Sequence, residues 1–104
     1  MNIQELEPRA EEAAQLLTAM ANPKRLVILC NLLDQERSVS ELAGIVGLEQ
    51  SPLSQHLSKL RALGLVKTRR EGQTIHYRLA SEPVSKVLAT LYGIYCAPTG
   101  GSNV

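Results

Sequence analysis

The sequence predicts a mainly α-helical domain with one small β-hairpin. Apolar residues recur at helical spacing in five segments, and four of these segments follow residues that are typical of helix starts. Before the fifth segment, two short β-prone runs flank Glu71-Gly72, a dipeptide typical of a hairpin turn. With 104 residues, 44% of them hydrophobic, the chain is expected to form a single domain around its own core.

The first two helices are predicted from about Pro8 to Met20 and from Pro23 to about Asp34. Asn22-Pro23 predicts the break between them, because asparagine suits the N-cap and proline suits the first helical position. The apolar residues expected to face the core are Ala13, Leu16, Leu17 and Met20 in the first helix, and Leu26, Leu29, Cys30 and Leu33 in the second.

A short third helix is predicted after Ser38, which forms the capping-box pattern Ser-x-x-Glu with Glu41. Leu42 and Ile45 are expected to face inward, and Gly47 is expected to end the helix, since glycine is common just after the last helical turn. The turn that follows is short enough to set this helix at a steep angle to the next one.

The fourth helix is predicted to begin at Ser51-Pro52 and to end near Gly64. Its buried side carries leucines at helical spacing: Leu53, Leu57 and Leu60. The opposite side carries short hydrogen-bonding side chains: Ser51, Ser54, Gln55 and Ser58. Short side chains allow close approach, and glutamine can bond adenine bidentately, so this side is typical of a helix that reads base edges. An ordinary amphipathic surface helix is the alternative interpretation.

The hairpin is predicted from two strands over residues 65–70 and 73–79, and Ser81 is predicted to cap the last helix. That helix has a wide apolar stripe with little polar relief: Val84, Val87, Leu88, Leu91, Tyr92 and Tyr95. A stripe of this width is typical of burial against another helix or a second chain.

The charges of the chain are unevenly distributed. Residues 1–49 carry four basic and eight acidic groups, whereas residues 50–78 carry six basic groups and Glu71 as their one acidic group. A basic segment within a chain of net charge +1 is the electrostatic footprint expected of a nucleic-acid-binding face. Solvated surface charge is the alternative interpretation of this pattern.

Short helix, tight turn, longer helix and hairpin together make the layout of a winged helix-turn-helix. The fourth helix is expected to enter the major groove of double-stranded DNA, and the hairpin, as the wing, to reach phosphates or the minor groove. The candidate DNA-binding residues are Gln50, Ser51, Ser54, Gln55, His56, Ser58 and Lys59 on the helix, and Arg69, Arg70 and Gln73 on the wing. Two alternatives stay open: His56 bonded internally, and wing arginines that only protect an edge strand.

Other function classes are disfavoured. No apolar run reaches the length of a membrane span, and the acidic N-terminus lacks the apolar region of a secretory signal. The chain is also short for a catalytic cleft, so we expect a cytoplasmic protein that is not an enzyme and needs no cofactor. Residues 8–96 are expected to form the ordered core of the single domain, and residues 97–104 a flexible tail.

Four blocks, in order along residues 8–96, resemble the ArsR/SmtB family of bacterial repressors. They begin at Ala19, Ser38, Gln50 and Gly64 and read AMANPKRL, SVSELA, QSPLSQHLSKLR and GLVKTRREGQTIHY. The resemblance implies a homodimeric winged helix that joins through its first and last helices. It also implies binding to imperfect palindromes near the protein's own promoter, with release of the DNA when an inducer arrives.

Many members of this family sense metal ions, but the sequence does not match the family's metal-binding patterns. The third helix has no thiolate or imidazole, and residues 84–96 contain no Asp, Glu or His. The two histidines and two cysteines of the chain are also too scattered for a tetrahedral zinc set at the usual spacing. We therefore expect no metal site.

The surroundings of Cys30 and Cys96 resemble the subgroup of the family that responds to persulfides and polysulfides. In that subgroup one cysteine follows an Arg-Leu-x-Ile-Leu run and the other follows a tyrosine on the last helix. Here the matching runs are RLVILC, ending at Cys30, and YGIYC, ending at Cys96. The resemblance implies that reactive sulfur species or an oxidant link the two thiols by a disulfide or polysulfide bridge, and that DNA is then released.

The sequence leaves open whether the bridge runs within one protomer or between two, and we expect it within one. A direct disulfide needs Cα atoms within about 7 Å, and each inserted sulfur adds roughly 2 Å of reach. The sequence leaves other interpretations open: inert buried cysteines with a different inducer, a winged helix that binds proteins, and a small thiol oxidoreductase as the weakest. Cys96, close to a glycine-rich tail, is expected to be the more exposed of the two thiols.

Overall fold

The structure is a computed structural model, and it describes residues 1–96. The predicted tail, residues 97–104, lies outside the described residues. In chain order the elements are α1 (Ile3–Leu6), a 3₁₀ turn (Glu7–Arg9), α2 (Ala10–Met20), α3 (Pro23–Asn31), β1 (Arg37–Ser38), α4 (Val39–Val46), α5 (Gln50–Ala62), β2 (Val66–Glu71), β3 (Thr74–Leu79) and α6 (Glu82–Tyr95). This order confirms the predicted fold class, a mainly helical winged helix-turn-helix with an antiparallel hairpin.

Several predicted helix boundaries are confirmed by their caps. The side chain of Asn22 accepts hydrogen bonds from two backbone N–H groups at the start of α3. Ser38 and Glu41 form the complete capping box of α4, and Ser81 caps α6. Gly47 ends α4 in the left-handed conformation, with φ of 68°, which glycine adopts without the strain that a Cβ atom would cause.

Other boundaries differ from the prediction. α5 begins at Gln50 with Glu49 as its N-cap, so the expected start at Ser51-Pro52 was wrong. The proline is tolerated because the first four N–H groups of a helix lack intrahelical partners. In addition, the N-terminal helical segment starts at Ile3 and α3 ends at Asn31. Apolar spacing marks the face of a helix but specifies its ends only weakly.

The buried face of α3 differs from the predicted one. Ile28, Leu29 and Leu32 are buried in the core, whereas Cys30 and Leu33 are exposed. Two further residues that were predicted to be buried are exposed, Leu17 in α2 and Ile45 in α4. These helices carry apolar residues on two sides, so spacing alone does not determine which side meets the core.

The hairpin belongs to a three-stranded antiparallel sheet of order β1-β3-β2. β1 pairs Arg37 with Tyr77 and Ser38 with His76. The sequence analysis did not predict β1, because a two-residue strand leaves no alternating pattern. Since Ser38 is also the N-cap of α4, the sheet is joined directly to the helix-turn-helix that α4 and α5 form.

The loop of the wing, the hairpin of β2 and β3, lies one residue later than predicted. Glu71 pairs with Thr74, so the two-residue loop is Gly72-Gln73. Gly72 has a φ of 63°, and glycine is the residue preferred at the first loop position of a type II′ turn. The loop places the side chain of Gln73 at the tip of the wing.

The core is aliphatic, with Tyr77 as its one aromatic side chain among the described residues. It is closed by α5, whose three predicted leucines are all buried, and by Val84 and Leu88 of α6. Within residues 1–96, no helix combines the length and the apolar character needed to cross a membrane.

Candidate DNA interface and cysteine pair

The side of α5 that faces away from the core is polar and open to solvent. Five exposed polar residues on this side, which we call the polar face of α5, are Ser51, Ser54, Gln55, Ser58 and Lys59. All five were predicted to bind DNA. Serine and glutamine can both donate and accept hydrogen bonds and are short enough to approach base edges, while lysine suits phosphates.

A cleft connects α5 to the wing. Gln50, the first residue of α5, and Gln73, at the wing tip, line the same cleft of about 340 Å³. Ser40 of α4 and Thr74 of β3 also line it, and the sequence analysis missed both. Neither residue lies in a pattern typical of DNA contacts, and only the fold brings them beside the two glutamines. Polar groups therefore extend from α5 to the wing.

The two wing arginines lie on opposite faces of the hairpin. Arg70 pairs with Ile75 across the strands, on the face turned toward the core, and is itself exposed. On the other face, the guanidinium of Arg69 lies 2.7 Å from a carboxylate oxygen of Glu36 and 3.5 Å from one of Glu71. The hydrogen bond between Arg69 and Glu36 raises the pKa of the arginine and lowers the pKa of the carboxyl group. Arg69 is therefore already engaged by carboxylates.

Replacing Glu36 by glutamine is expected to strengthen DNA binding severalfold, because it removes the nearer of the two carboxylates that engage Arg69 and leaves the guanidinium more available to a phosphate. The slope of log affinity against log salt concentration should steepen by about 0.9, the value for one added phosphate contact on duplex DNA. Fluorescence-anisotropy titrations at several salt concentrations measure both quantities. Glu11→Gln, at an exposed position of α2, makes the same charge change and is the control. An equal effect of both substitutions would contradict the release of Arg69.

His56 is half-buried and has an internal partner. A guanidinium nitrogen of Arg25 lies 3.3 Å from its Nδ1. Because a guanidinium can only donate, this hydrogen bond requires Nδ1 to accept, which assigns the ring proton to Nε2. Desolvation lowers the pKa of His56, and the charges of Arg25 and Lys59 lower it further. The internal bond that the sequence left open as an alternative is present, and Nε2–H is the donor left for DNA.

Two basic residues to which the sequence analysis gave no role, Lys24 and Arg25, join α3 to other helices. Lys24 Nζ donates to the carbonyl of Val46, at the end of α4, over 2.7 Å. Besides its contact with the imidazole of α5, Arg25 donates to the carbonyls of Thr18 and Ala19, at the end of α2. Local sequence patterns do not reveal contacts between residues so far apart in the chain.

Cys30 and Cys96 are both exposed, and Cys30 lies within electrostatic reach of Cys96. Cys30 is the penultimate residue of α3, and Cys96 is the C-cap of α6. Desolvation raises the pKa of Cys30, and the negative charge of Cys96 raises it further. The expected burial of Cys30 was wrong, because its side of α3 faces away from the core. Cys96 is exposed as well, and its greater exposure relative to Cys30 stays a prediction.

The alkylation of Cys30 by iodoacetamide at pH 8 is expected to be slower than that of an ordinary exposed thiol, and to accelerate as the pH rises. The reason is its raised pKa, which leaves less of the reactive thiolate at a given pH. Peptide mapping by mass spectrometry after timed alkylation gives the pH profile. In Cys96→Ser the second negative charge is absent, so the profile should move to lower pH. Identical pH profiles of Cys30 alkylation in the wild type and in Cys96→Ser would show that the charge of Cys96 does not affect the pKa of Cys30.

The comparison with known proteins identifies the family. The profile of the "Bacterial regulatory protein, arsR family" matches residues 22–68, from the N-cap of α3 into β2. The transcriptional activator HlyU of Vibrio cholerae is 52% identical over 96 residues, which cover 92% of this chain and 89% of HlyU. The chain belongs to the ArsR family.

Solved structures of ArsR-type regulators share the fold. Reduced HlyU from Vibrio cholerae superposes with a TM-score of 0.84 at 51% identity, covering 90% of this chain and 99% of that one. The transcriptional repressor BigR from Xylella fastidiosa superposes with a TM-score of 0.88 at 41% identity, covering 93% of this chain and 99% of that one.

The ArsR membership establishes the general role of the chain. It is a DNA-binding transcriptional regulator, and the relatives that match it are regulators rather than enzymes. Within residues 1–96, no three His, Cys, Asp or Glu side chains are grouped so that they could hold a metal ion. HlyU is named an activator and BigR a repressor, so family membership alone does not determine whether this chain activates or represses transcription.

Proposed function

We propose that the chain is a homodimeric repressor that binds palindromic operator DNA in the cytoplasm. In this proposal, reactive sulfur species or an oxidant link Cys30 to Cys96 by a disulfide or polysulfide bridge, and the protein then releases the DNA. The observation that carries the proposal is the placement of two exposed thiols within electrostatic reach of one another, at the ends of α3 and α6.

The polar face of α5 supports the DNA-binding part of the proposal. It is exposed along the helix and continues through the cleft to Gln73 at the wing tip. Six of the chain's 11 basic residues lie in the segment that forms α5 and the wing. In this arrangement Lys59 and Arg70 contact phosphates and position the protein, while Gln55 and the serines read the bases.

Exposed apolar side chains support the dimer. On α6, Tyr92 is 61% exposed, Ile94 is 64% exposed and Tyr95 is 80% exposed. Ile3 and Leu6 are exposed in the N-terminal segment. Exposed apolar side chains at both ends of the described chain are typical of a surface that binds another protein. We propose that this protein is a second copy of the chain, joined through the first and last helices. In a two-fold dimer the two α5 helices would contact half-sites about 34 Å apart.

A polysulfide can form the bridge without any further oxidant. One thiolate attacks an internal sulfur of the polysulfide, an S–S bond breaks, and a shorter hydropolysulfide anion leaves. The second thiolate then attacks the sulfur chain attached to the first cysteine and expels hydrosulfide. Both thiols are oxidised, the sulfane sulfur is reduced, and the two thiol protons pass to solvent.

A regulator with unreactive cysteines and a different inducer is the second candidate. The raised pKa of Cys30 favours it, because a less ionised thiol is a poorer nucleophile at neutral pH. Such a protein would use α5 and the wing in the same way but would keep its DNA affinity in the presence of polysulfide.

A gel-shift titration on DNA from upstream of the coding region tests the proposal. The affinity should fall steeply with salt concentration, as expected when several phosphates are contacted. Protein shown by mass spectrometry to carry the bridge should bind about 5- to 150-fold more weakly than untreated protein. Little salt dependence would favour a protein-interaction module instead, and an unchanged affinity of the bridged protein would favour the second candidate.

A further inference from the structure

α3 connects the cysteine pair to the helix-turn-helix. Lys24 and Arg25 lie in its first turn, and Cys30 lies near its other end. With a rise of 1.5 Å per residue, Arg25 and Cys30 are about 7.5 Å apart along the helix axis. Ile28 and Leu29, between them, are fully buried. Because packed cores resist deformation, we expect α3 to move as one rigid element.

The first turn of α3 holds three other helices in place. The last carbonyls of a helix have no intrahelical partner and favour positive charge. Lys24 donates to such a carbonyl at the end of α4, and Arg25 donates to one at the end of α2. The same guanidinium contacts the imidazole of His56, in the middle of α5. One helical turn therefore contacts α2 and both helices of the helix-turn-helix.

We infer that Arg25 is a positioning residue that transmits the bridging of Cys30 to α5 through its contact with His56, while Lys24 only ties the same turn to the end of α4. When a bridge draws Cys30 toward the end of α6, α3 tilts about its buried residues and its first turn moves relative to α4 and α5. Hydrogen bonds are short and directional, so a shift of about 1 Å either breaks these contacts or moves α5 with α3. This inference rests on the proposed function.

A second route from the bridge is available, and the experiment must separate the two. Cys96 lies at the end of α6, whose exposed apolar side chains are proposed to form the dimer. A bridge can therefore also act on the dimer directly. Only the route through α3 depends on Arg25 and His56, so substitutions at these two residues distinguish the routes.

The quantity that tests the inference is the release ratio, defined as the Kd of bridged protein for operator DNA divided by the Kd of untreated protein. Wild-type protein should give a ratio of about 5 to 150. Arg25→Ala and His56→Ala should still form the bridge, as judged by mass spectrometry, but their ratios should fall to within about twofold of one. Arg25→Lys keeps the charge but cannot contact α2 and the imidazole together, so its ratio should be intermediate.

Arg9→Ala is the matched control, because Arg9 bonds only Glu12 on the exposed surface among the described residues, at 2.9 Å, and should keep the wild-type ratio. Wild-type ratios in both Arg25→Ala and His56→Ala would overturn the inference, even if both bind DNA more weakly. His56→Ala leaves the bonds from Arg25 to α2 intact, so it carries the test if Arg25→Ala does not fold. A ratio of one in wild-type protein would refute the switch itself.

Discussion

Replacing Cys96 by serine is expected to abolish the release of operator DNA by polysulfide. Serine has nearly the same size as cysteine, and Cys96 is exposed, so the fold and the affinity of the untreated protein should be unchanged. Without the second thiol, polysulfide can add sulfur to Cys30 but cannot join α3 to α6. The ratio of Kd values with and without polysulfide should fall from about 5–150 in the wild type to about one.

Gel-shift titrations before and after treatment measure this ratio, with mass spectrometry to identify the sulfur species on each cysteine. Cys30→Ser provides the matched variant, and the same result is expected because the bridge needs both thiols. If either variant still releases DNA after treatment, modification of a single thiol is sufficient and the bridge is not the switch.

Replacing Gln55 by alanine is expected to weaken binding to the operator by about 1–3 kcal/mol, or roughly 5- to 150-fold, since this is the range for one bidentate contact to a base. Gln55 is exposed on α5, so the substitution should leave the stability of the fold nearly unchanged. Competition titrations with operator and with random duplex DNA measure the effect, and the affinity for random DNA should stay the same.

Lys59→Ala is the control for this prediction, because Lys59 belongs to the polar face of α5 but is assigned to a phosphate. It should weaken binding to both DNAs equally and reduce the salt slope by about 0.9. If Gln55→Ala instead weakens both DNAs to the same extent, the glutamine does not read a base.

Features that depend on neighbouring residues could be predicted from the sequence. The capping box of Ser38 and Glu41, the cap at Asn22 and the left-handed Gly47 are each encoded within a few positions. The buried leucines of α5 could be predicted as well, because that helix is polar on its other side. The fold class and the exposure of the polar face of α5 could be predicted from these elements.

Features that depend on distant residues could not be predicted. The pairing of β1 with β3 and the bond between Arg69 and Glu36 join segments that are far apart in the chain. The predicted orientation of α3 was also wrong, because apolar side chains line two of its sides, and only tertiary packing selects the side of Ile28 and Leu32 over that of Leu33. As a result, Cys30 was predicted to lie in the core, although it is exposed.

Ser38 belongs to two structures at once, since it is the last residue of β1 and the N-cap of α4. Because β1 pairs with β3 of the wing, the wing is tied to α4, the first helix of the helix-turn-helix. The two parts cannot rotate freely against each other, and each protomer would approach the double helix as one rigid unit. The separation between the two halves of a recognised palindrome would then be set where the protomers meet, so substitutions between α6 helices should alter the preferred spacer length while sparing the preferred half-site.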